Sequence, residues 1–134
     1  MKYKFIIDIL EQNKNIYKKS VIYDIDDTLI FNSGIPNQEI IEIYNYAKSL
    51  GYTIFIITAR EGNCKNMNWT VQQLLENNIS GFKRIYFRPK NKKDIFNYKL
   101  LCRKNIYDNG YNTILSIGDM NWDVGQYGGF GLKI

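Results

Sequence analysis

The sequence predicts an α/β protein: a doubly wound, Rossmann-like parallel sheet sandwiched by helices in a single domain. Short runs that are apolar throughout alternate with segments whose apolar residues have helical spacing. Strands without polar alternation are typical of parallel sheets that are covered on both faces. A length of 134 residues suits one domain that buries roughly two thirds of its unfolded surface, so a second folding unit is not expected.

Each element is predicted from its apolar spacing and from the residues that interrupt it. Residues 4–18 place their apolar side chains close to one helix face, which predicts an amphipathic helix. This helix belongs to an N-terminal segment, residues 1–19, that packs on a core domain of residues 20–134. The other predicted elements are strands at about 20–25, 52–57, 85–87, 113–117 and 130–134, and helices between Pro36 and Gly51, near 65–78 and at about 93–109.

The composition restricts the chemistry that this chain can perform. It contains no histidine, so acid–base work falls to carboxylates, and a metal is expected to be a hard ion with oxygen ligands. Cys64 and Cys102 fit no zinc or redox spacing, and both are expected as thiols in a reducing compartment. No segment reaches the length of a signal peptide or of a membrane span. We therefore expect a cytoplasmic protein without a membrane partner.

The net charge of +5 is concentrated in one stretch of the chain. From Lys83 to Lys104 there are nine basic residues and one acidic residue, Asp94, which gives nine minus one, or +8. Such a stretch either attracts an anionic partner or forms a solvated, Lys-rich helix face. Aromatic residues such as Tyr86 and Phe87 lie among these charges. This mixture is also found in nucleic-acid binders, although most of the rings are expected in the core.

Two aspartates, Asp24 and Asp26, stand one residue apart where a buried apolar strand should end. Unpaired carboxylates at the edge of an apolar core would repel each other and lose hydration. A metal, a cationic partner or a shared proton is therefore expected beside them. In open parallel sheets, ligands bind beyond the carboxyl ends of the strands. Thr58 and Asp119 also follow predicted strands, so they are expected at the same edge as Asp24 and Asp26.

The polar residues that follow the strands form an ordered set of motifs. In chain order these are Asp24-x-Asp26-x-Thr28, Thr58, a lysine in a predicted helix, and Gly118-Asp119-x-x-x-Asp123. In this order and on this fold, they resemble the four motifs of the haloacid dehalogenase-like (HAD) superfamily.

A finer pattern resembles the acid-phosphatase-like branch of that superfamily. The matching segments are Phe87-Arg88-Pro89, Tyr98-Lys99 with Arg103, Gly110-Tyr111 and Ile117-Gly118-Asp119. The resemblance covers residues 20–131, most of the chain. It departs at Asp27, where many members have Gly, and in the short tail after Asp123.

The resemblance implies a phosphatase that uses Mg²⁺ and forms a covalent aspartyl-phosphate. Asp24 is then the nucleophile, while Asp26 donates a proton to the leaving alcohol and later accepts one from water. Thr58 and Lys99 would bind the phosphoryl group. The implied Mg²⁺ ligands are Asp24, Asp26 through its backbone carbonyl, Asp119, and Asp123 as a ligand or as an anchor behind one.

The sequence leaves two assignments open. Lys92 or Lys93 could serve instead of Lys99, because a suitable lysine is easily found in a Lys-rich chain. Arg60 follows Thr58 so closely that it either contacts the substrate or is a surface residue at the start of a loop.

The spacing leaves little room for a cap domain over the site. Only about thirty residues separate Asp26 from Thr58, and one helix plus one strand use nearly all of them. An open site admits bulky substrates, so together with the basic stretch we expect a nucleotide or a phosphorylated nucleic-acid end. Two alternatives remain: a phosphotransferase on the same scaffold, and a non-catalytic module that binds phosphate or nucleic acid.

Overall fold

The computed structural model describes residues 2–134, which form an all-parallel five-stranded sheet flanked by four helices. The predicted doubly wound parallel α/β fold is confirmed. The helices are α1 (Lys4–Gln12), α2 (Gln38–Ser49), α3 (Cys64–Glu76) and α4 (Ile95–Asp108), and the strands are β1 (Lys19–Tyr23), β2 (Thr53–Glu61), β3 (Phe82–Arg88), β4 (Asn112–Gly118) and β5 (Phe130–Lys133).

The strands are ordered β3-β2-β1-β4-β5, so β1 lies at the centre of the sheet. From β1 the chain builds outward to β2 and β3, and then crosses over to add β4 and β5 on the other side. The strand order therefore reverses beside β1, and the carboxyl ends of β1 and β4 border the crevice in which ligands of such sheets bind.

The two faces of the sheet are covered unequally. Val21 and Tyr23 point into a large cluster that also contains Leu74 of α3 and residues of α1 and α2. Ile22 and Phe55 point to the opposite face, where α4 supplies the helical part of the cluster. One helix is ~10–12 Å in diameter, whereas four strand spacings of ~4.8 Å make the sheet ~19 Å wide. The α4 face is therefore only partly covered.

Between Asp26 and Thr58 the chain forms a short bridged turn, α2 and part of β2. No inserted domain lies in this interval of the described chain, which agrees with the expected lack of a cap. Across residues 2–134, no helix combines the length and the apolar character that crossing a bilayer requires.

Three elements differ in length from their sequence predictions. Helix α1 ends at Gln12 rather than near residue 18. The next residue, Asn13, folds back and donates from Nδ2 to the Ile9 carbonyl at 2.8 Å. Strand β2 continues through Thr58 to Glu61, which pairs with β3. Strand β3 begins at Phe82 rather than at residue 85. Its early residues Lys83 and Arg84 are charged and therefore did not resemble a buried strand, but charge is common on an exposed edge strand.

Candidate active site

The register of the three central strands brings the polar motifs to one edge of the sheet. Tyr23 of β1 pairs with Ile56 of β2 and with Ile117 of β4. Asp24 follows directly, and its backbone N–H donates to the Ile117 carbonyl at 3.0 Å. Thr58 and Asp119, which come two residues after Ile56 and Ile117, therefore lie at the same edge of the sheet, one residue beyond the level of Asp24.

The chain turns sharply after Asp24. The Ile25 carbonyl accepts hydrogen bonds from the N–H groups of Thr28, Leu29 and Ile30, at 3.1, 3.0 and 3.1 Å. The Thr28 hydroxyl lies 3.4 Å from Asp24 Oδ2, beneath the carboxylate. Asp27 has φ of 58°, a left-handed conformation that glycine adopts freely and Asp tolerates. This explains how Asp fits a position that is Gly in many HAD proteins.

A buried lysine supplies the positive charge beside Asp24. Lys99, on the second turn of α4, donates from Nζ to Asp24 Oδ1 at 2.8 Å and to the Ile57 carbonyl at 3.1 Å. It also donates to Asp123 Oδ1. Its side chain is 2% exposed, whereas Lys92 and Lys93 are exposed to solvent. Among the three lysines that the sequence left open, Lys99 is the one that lies against Asp24.

Three carboxylates converge around this position. Asp24, Asp119 and Asp123 each have one oxygen within 4.8 Å of the others. Asp123 is buried, and its Oδ2 accepts the Met120 N–H at 3.0 Å. Gly118 makes room for it, because a Cβ at position 118 would lie 2.1 Å from the Cβ of Asp123.

The electrostatics of Asp24 and Lys99 reflect their burial. Burial raises the pKa of Asp24 to about 7, although the Lys99 ammonium opposes the change and the Asp123 charge adds to it. Burial alone would lower the pKa of Lys99, but Asp24 and Asp123 outweigh it and raise the pKa. The ammonium therefore stays charged, and a second cation at the cluster would favour the ionised form of Asp24.

Asp26 makes a contact that the sequence did not predict. Arg60 donates from Nε to Asp26 Oδ2 at 3.1 Å and from Nη2 to Asp26 Oδ1 at 2.8 Å, a two-pronged ion pair. Arg60 Nη1 donates to Thr70 Oγ1 at 3.1 Å, and the guanidinium lies 4.7 Å from the ring centre of Trp69. The Asp26 side chain is 47% exposed, so its carboxylate is held at the mouth of the site. The one sequence feature that pointed to a role for Arg60 in the site was its position two residues after Thr58.

Thr58 is fully buried behind this pair. Its Oγ1 accepts the backbone N–H of Arg60 at 3.1 Å, which leaves the hydroxyl hydrogen available for another acceptor. The Tyr98 hydroxyl lies 2.9 Å from the Thr58 carbonyl and 2.8 Å from the Tyr86 carbonyl, and it fixes the start of α4 against β2 and β3.

Arg103 holds the loop that carries Asp123. It lies one turn after Lys99 on α4 and is 1% exposed. Its Nε donates to the Gln126 carbonyl at 2.9 Å and its Nη1 donates to the Trp122 carbonyl at 2.7 Å. The same helix therefore positions both the cation of the site and one of its carboxylates.

The site has the donor set that a hard divalent cation requires. Three carboxylate oxygens at one edge suit Mg²⁺, which prefers oxygen ligands and keeps several waters. The Asp26 carboxylate is not part of this group and pairs with Arg60 instead. A contribution of the Asp26 backbone carbonyl to metal binding stays a prediction.

The comparisons with known families agree with this geometry. Residues 35–128 match the family described as HAD superfamily, subfamily IIIB (acid phosphatase). The match covers more than half of the 134 residues, and the chain belongs to this phosphatase family. It includes Thr58, Lys99, Asp119 and Asp123 and begins after Asp24. The resemblance to the acid-phosphatase branch of the HAD superfamily is thus confirmed.

The comparison with solved structures bears on the fold. The chain is similar to one in the "Structure of the Pnkp1/Rnl/Hen1 RNA repair complex", with a TM-score of 0.67 and 18% sequence identity. The similarity covers 87% of this chain and 42% of that one, so this chain spans less than half the length of that neighbour. None of the curated proteins matches the sequence.

Proposed function

We propose that this protein is a Mg²⁺-dependent phosphomonoesterase that forms an aspartyl-phosphate on Asp24. The observation that carries the proposal is the arrangement around that residue: a buried carboxylate held by Lys99, with Asp119 and Asp123 beside it. Membership in a phosphatase family supports hydrolase activity.

In the proposed reaction, a carboxylate oxygen of Asp24 attacks the phosphorus atom, and the bond to the ester oxygen breaks. Asp26, after taking up a proton from solvent, gives that proton to the departing alkoxide, so the alcohol leaves neutral. Asp26 then takes a proton from water as the water oxygen attacks phosphorus. The Asp24–phosphorus bond breaks, inorganic phosphate forms, and Asp24 returns as a carboxylate.

The other residues of the site stabilise charge and fix geometry. Asp24, Asp119 and Asp123 would hold Mg²⁺, which supplies the positive charge that lets two anions approach each other. Lys99 would keep Asp24 ionised and aligned, and the Thr58 hydroxyl would donate to a phosphoryl oxygen.

Arg60 is proposed to position Asp26. We expect Arg60→Ala to lower kcat about 10²-fold with little change in KM, because a displaced acid–base group loses its alignment with the reacting atoms. The kcat of Arg60→Lys should lie between those of the parent and of Arg60→Ala, since lysine keeps the charge but cannot donate two parallel hydrogen bonds to one carboxylate. Steady-state kinetics with a chromogenic phosphate ester gives both constants.

A double variant separates positioning from direct substrate contact. If Arg60 acts only through Asp26, then Asp26→Ala/Arg60→Ala should be no slower than Asp26→Ala, because coupled residues are not additive. A further large loss in the double variant would mean that Arg60 contacts the substrate itself.

The substrate is proposed to be a nucleotide or a phosphorylated nucleic-acid end, since no cap covers the site within residues 2–134 and the chain has a basic stretch beside the site. A cytoplasmic location suits such substrates and suits the two free cysteines, Cys64 and Cys102. We expect kcat/KM for mononucleotides and phosphorylated oligonucleotides to exceed that for sugar phosphates by at least about tenfold, or ~1.4 kcal/mol.

The experiment is a panel of phosphate esters, assayed for phosphate release with Mg²⁺ and again after chelation. Turnover should require the metal and return when Mg²⁺ is restored. Faster hydrolysis of sugar phosphates would contradict the substrate class. Transfer of phosphate to an added alcohol in preference to water would identify a phosphotransferase, and no turnover of any ester would favour a binding module.

A further inference from the structure

We propose that a groove between α4 and the edge strand β3 binds single-stranded nucleic acid and leads it to the catalytic edge. Its role in substrate binding rests on the proposed function, whereas the binding itself does not. We call this feature the β3 groove and define it by Lys18, Lys83, Arg84, Tyr86, Lys92 and Tyr111.

The β3 groove consists of two adjoining cavities of about 470 and 290 Å³. Arg84 and Tyr86 line both, so the two cavities adjoin at the middle of β3. The larger cavity reaches Lys18 and Tyr111, which precede β1 and β4 at the amino edge of the sheet. The smaller one reaches Tyr98, whose hydroxyl lies 2.9 Å from the Thr58 carbonyl at the catalytic edge.

The groove exists because α4 covers only part of its face of the sheet. Side chains from successive turns of α4 form one wall, from Tyr98 to Asn109 just past the helix end. At 1.5 Å per residue this wall is ~16 Å long, enough for about five nucleotides stacked at ~3.4 Å.

The charge of the β3 groove is uniformly positive. Its lining contains Lys18, Lys83, Arg84 and Lys92 and no acidic residue. None of these four cations pairs with a carboxylate within the described chain. Unpaired cations spaced along a groove are what a phosphate backbone requires.

Aromatic rings accompany the cations. The Arg84 guanidinium lies 3.9 Å from the centre of the Tyr86 ring, and Lys18 Nζ lies 4.4 Å from the centre of the Tyr111 ring. Arg84 is exposed, so a base can stack on the face of the guanidinium that Tyr86 leaves free. An exposed guanidinium on which a base can stack, beside a cationic track, is typical of proteins that bind single strands.

The test measures binding of fluorescein-labelled, unphosphorylated single strands of about two, five and ten nucleotides by fluorescence anisotropy in chelator. Affinity should rise up to about five nucleotides and then change little. With four cations at about 0.7 per contact, the slope of log K against log salt should be about −3. Arg84→Gln should reduce that slope by about 0.7 and weaken binding about fivefold at ~0.1 M salt.

The matched control is Lys2→Gln, another exposed cation, whose ammonium lies 5.4 Å from the Tyr3 ring and which lines neither cavity. It should leave affinity unchanged, and Lys83→Gln should repeat the effect of Arg84→Gln. Equal affinity of the Arg84 and Lys2 variants, no dependence on strand length, or tighter binding of a duplex of the same length would each overturn the proposal.

A second measurement connects the groove to catalysis. Arg84→Gln should raise KM for a phosphorylated oligonucleotide about fivefold and leave turnover of a small chromogenic ester as it is. If no ester is hydrolysed at all, the proposed function fails while the anisotropy result still stands. If the ester is hydrolysed but strands do not bind, the groove proposal fails by itself.

Discussion

Asp24→Asn should reduce the turnover of a chromogenic phosphate ester roughly 10⁶-fold, the scale on which removal of a covalent nucleophile acts. The amide oxygen carries no negative charge and cannot form the acyl phosphate. It is also a poorer ligand for Mg²⁺ than a carboxylate. Phosphate release, followed with excess Mg²⁺, measures this loss.

The fold should survive this change, because Asn has nearly the same shape as Asp. Lys99 keeps Asp123 and the Ile57 carbonyl as partners. In the parent protein, burial raises the pKa of Asp24 to about 7, so removing its charge relieves a desolvation cost. Circular dichroism and thermal unfolding should therefore show a native fold.

Asp27→Asn is the matched control, since it makes the same chemical change three residues away. Asp27 is exposed, and its Oδ1 accepts the Asn32 N–H at 2.8 Å, which an amide oxygen can also do. Asn also tolerates the left-handed backbone at this position. Normal turnover in the Asp27 variant and none in the Asp24 variant is the expected pair of results. Equal turnover in both would refute the role of Asp24.

Lys99→Met should lower the free energy of unfolding by about 3–5 kcal/mol, because removing one partner of a buried ion pair leaves uncompensated charge. Asp24 and Asp123 would then face each other without the ammonium that now contacts both. Urea unfolding measures the change. Lys93→Met, at an exposed position, should leave stability within about 0.5 kcal/mol of the parent.

The dependence on pH has a definite sign. The folded-state pKa of Asp24 is raised from 3.8 to about 7, so the folded state binds more protons than the unfolded state between these values. Stability from this group is present at low pH and falls as the pH rises toward 7. Without Lys99 the pKa of Asp24 should rise further, so the loss of stability should be larger and should extend to higher pH. Added Mg²⁺ should restore more stability to the Lys99 variant above pH 7 than to the parent.

A Lys99 variant that is as stable as the parent at every pH would show that the two carboxylates are not buried against this ammonium. A variant that is destabilised but hydrolyses esters at the parental rate would leave Lys99 a structural role alone. These two outcomes separate the stability of the site from its chemistry.

The carboxylate cluster could be predicted from the sequence because strand order and motif order point to the same edge. Asp24 and Asp119 each follow an apolar strand, and parallel strands carry such residues to one place. The choice among Lys99, Lys92 and Lys93 could not be made from the sequence. It depends on how α4 docks, and only Lys99 lies on the turn that packs against β2.

Contacts made at a distance along the chain escaped the sequence analysis. Asp26 and Arg60 are 34 residues apart, and their pairing depends on the extension of β2 beyond Thr58. The β3 groove depends on how much of the sheet α4 leaves uncovered, and the spacing of apolar residues in the sequence does not predict this. The basic stretch was visible in the sequence, but its arrangement along an edge strand was not.

The rotation of α4 about its own axis sets the positions of three side chains with different contacts. Lys99 contacts Asp24 and Asp123, Arg103 holds the neighbouring loop, and Tyr98 lines one end of the β3 groove. Successive residues of a helix are separated by ~100°, so a slip of one residue would withdraw all three side chains together. The proposed binding of a nucleic-acid strand and the proposed catalysis would therefore both depend on the rotation of this one helix.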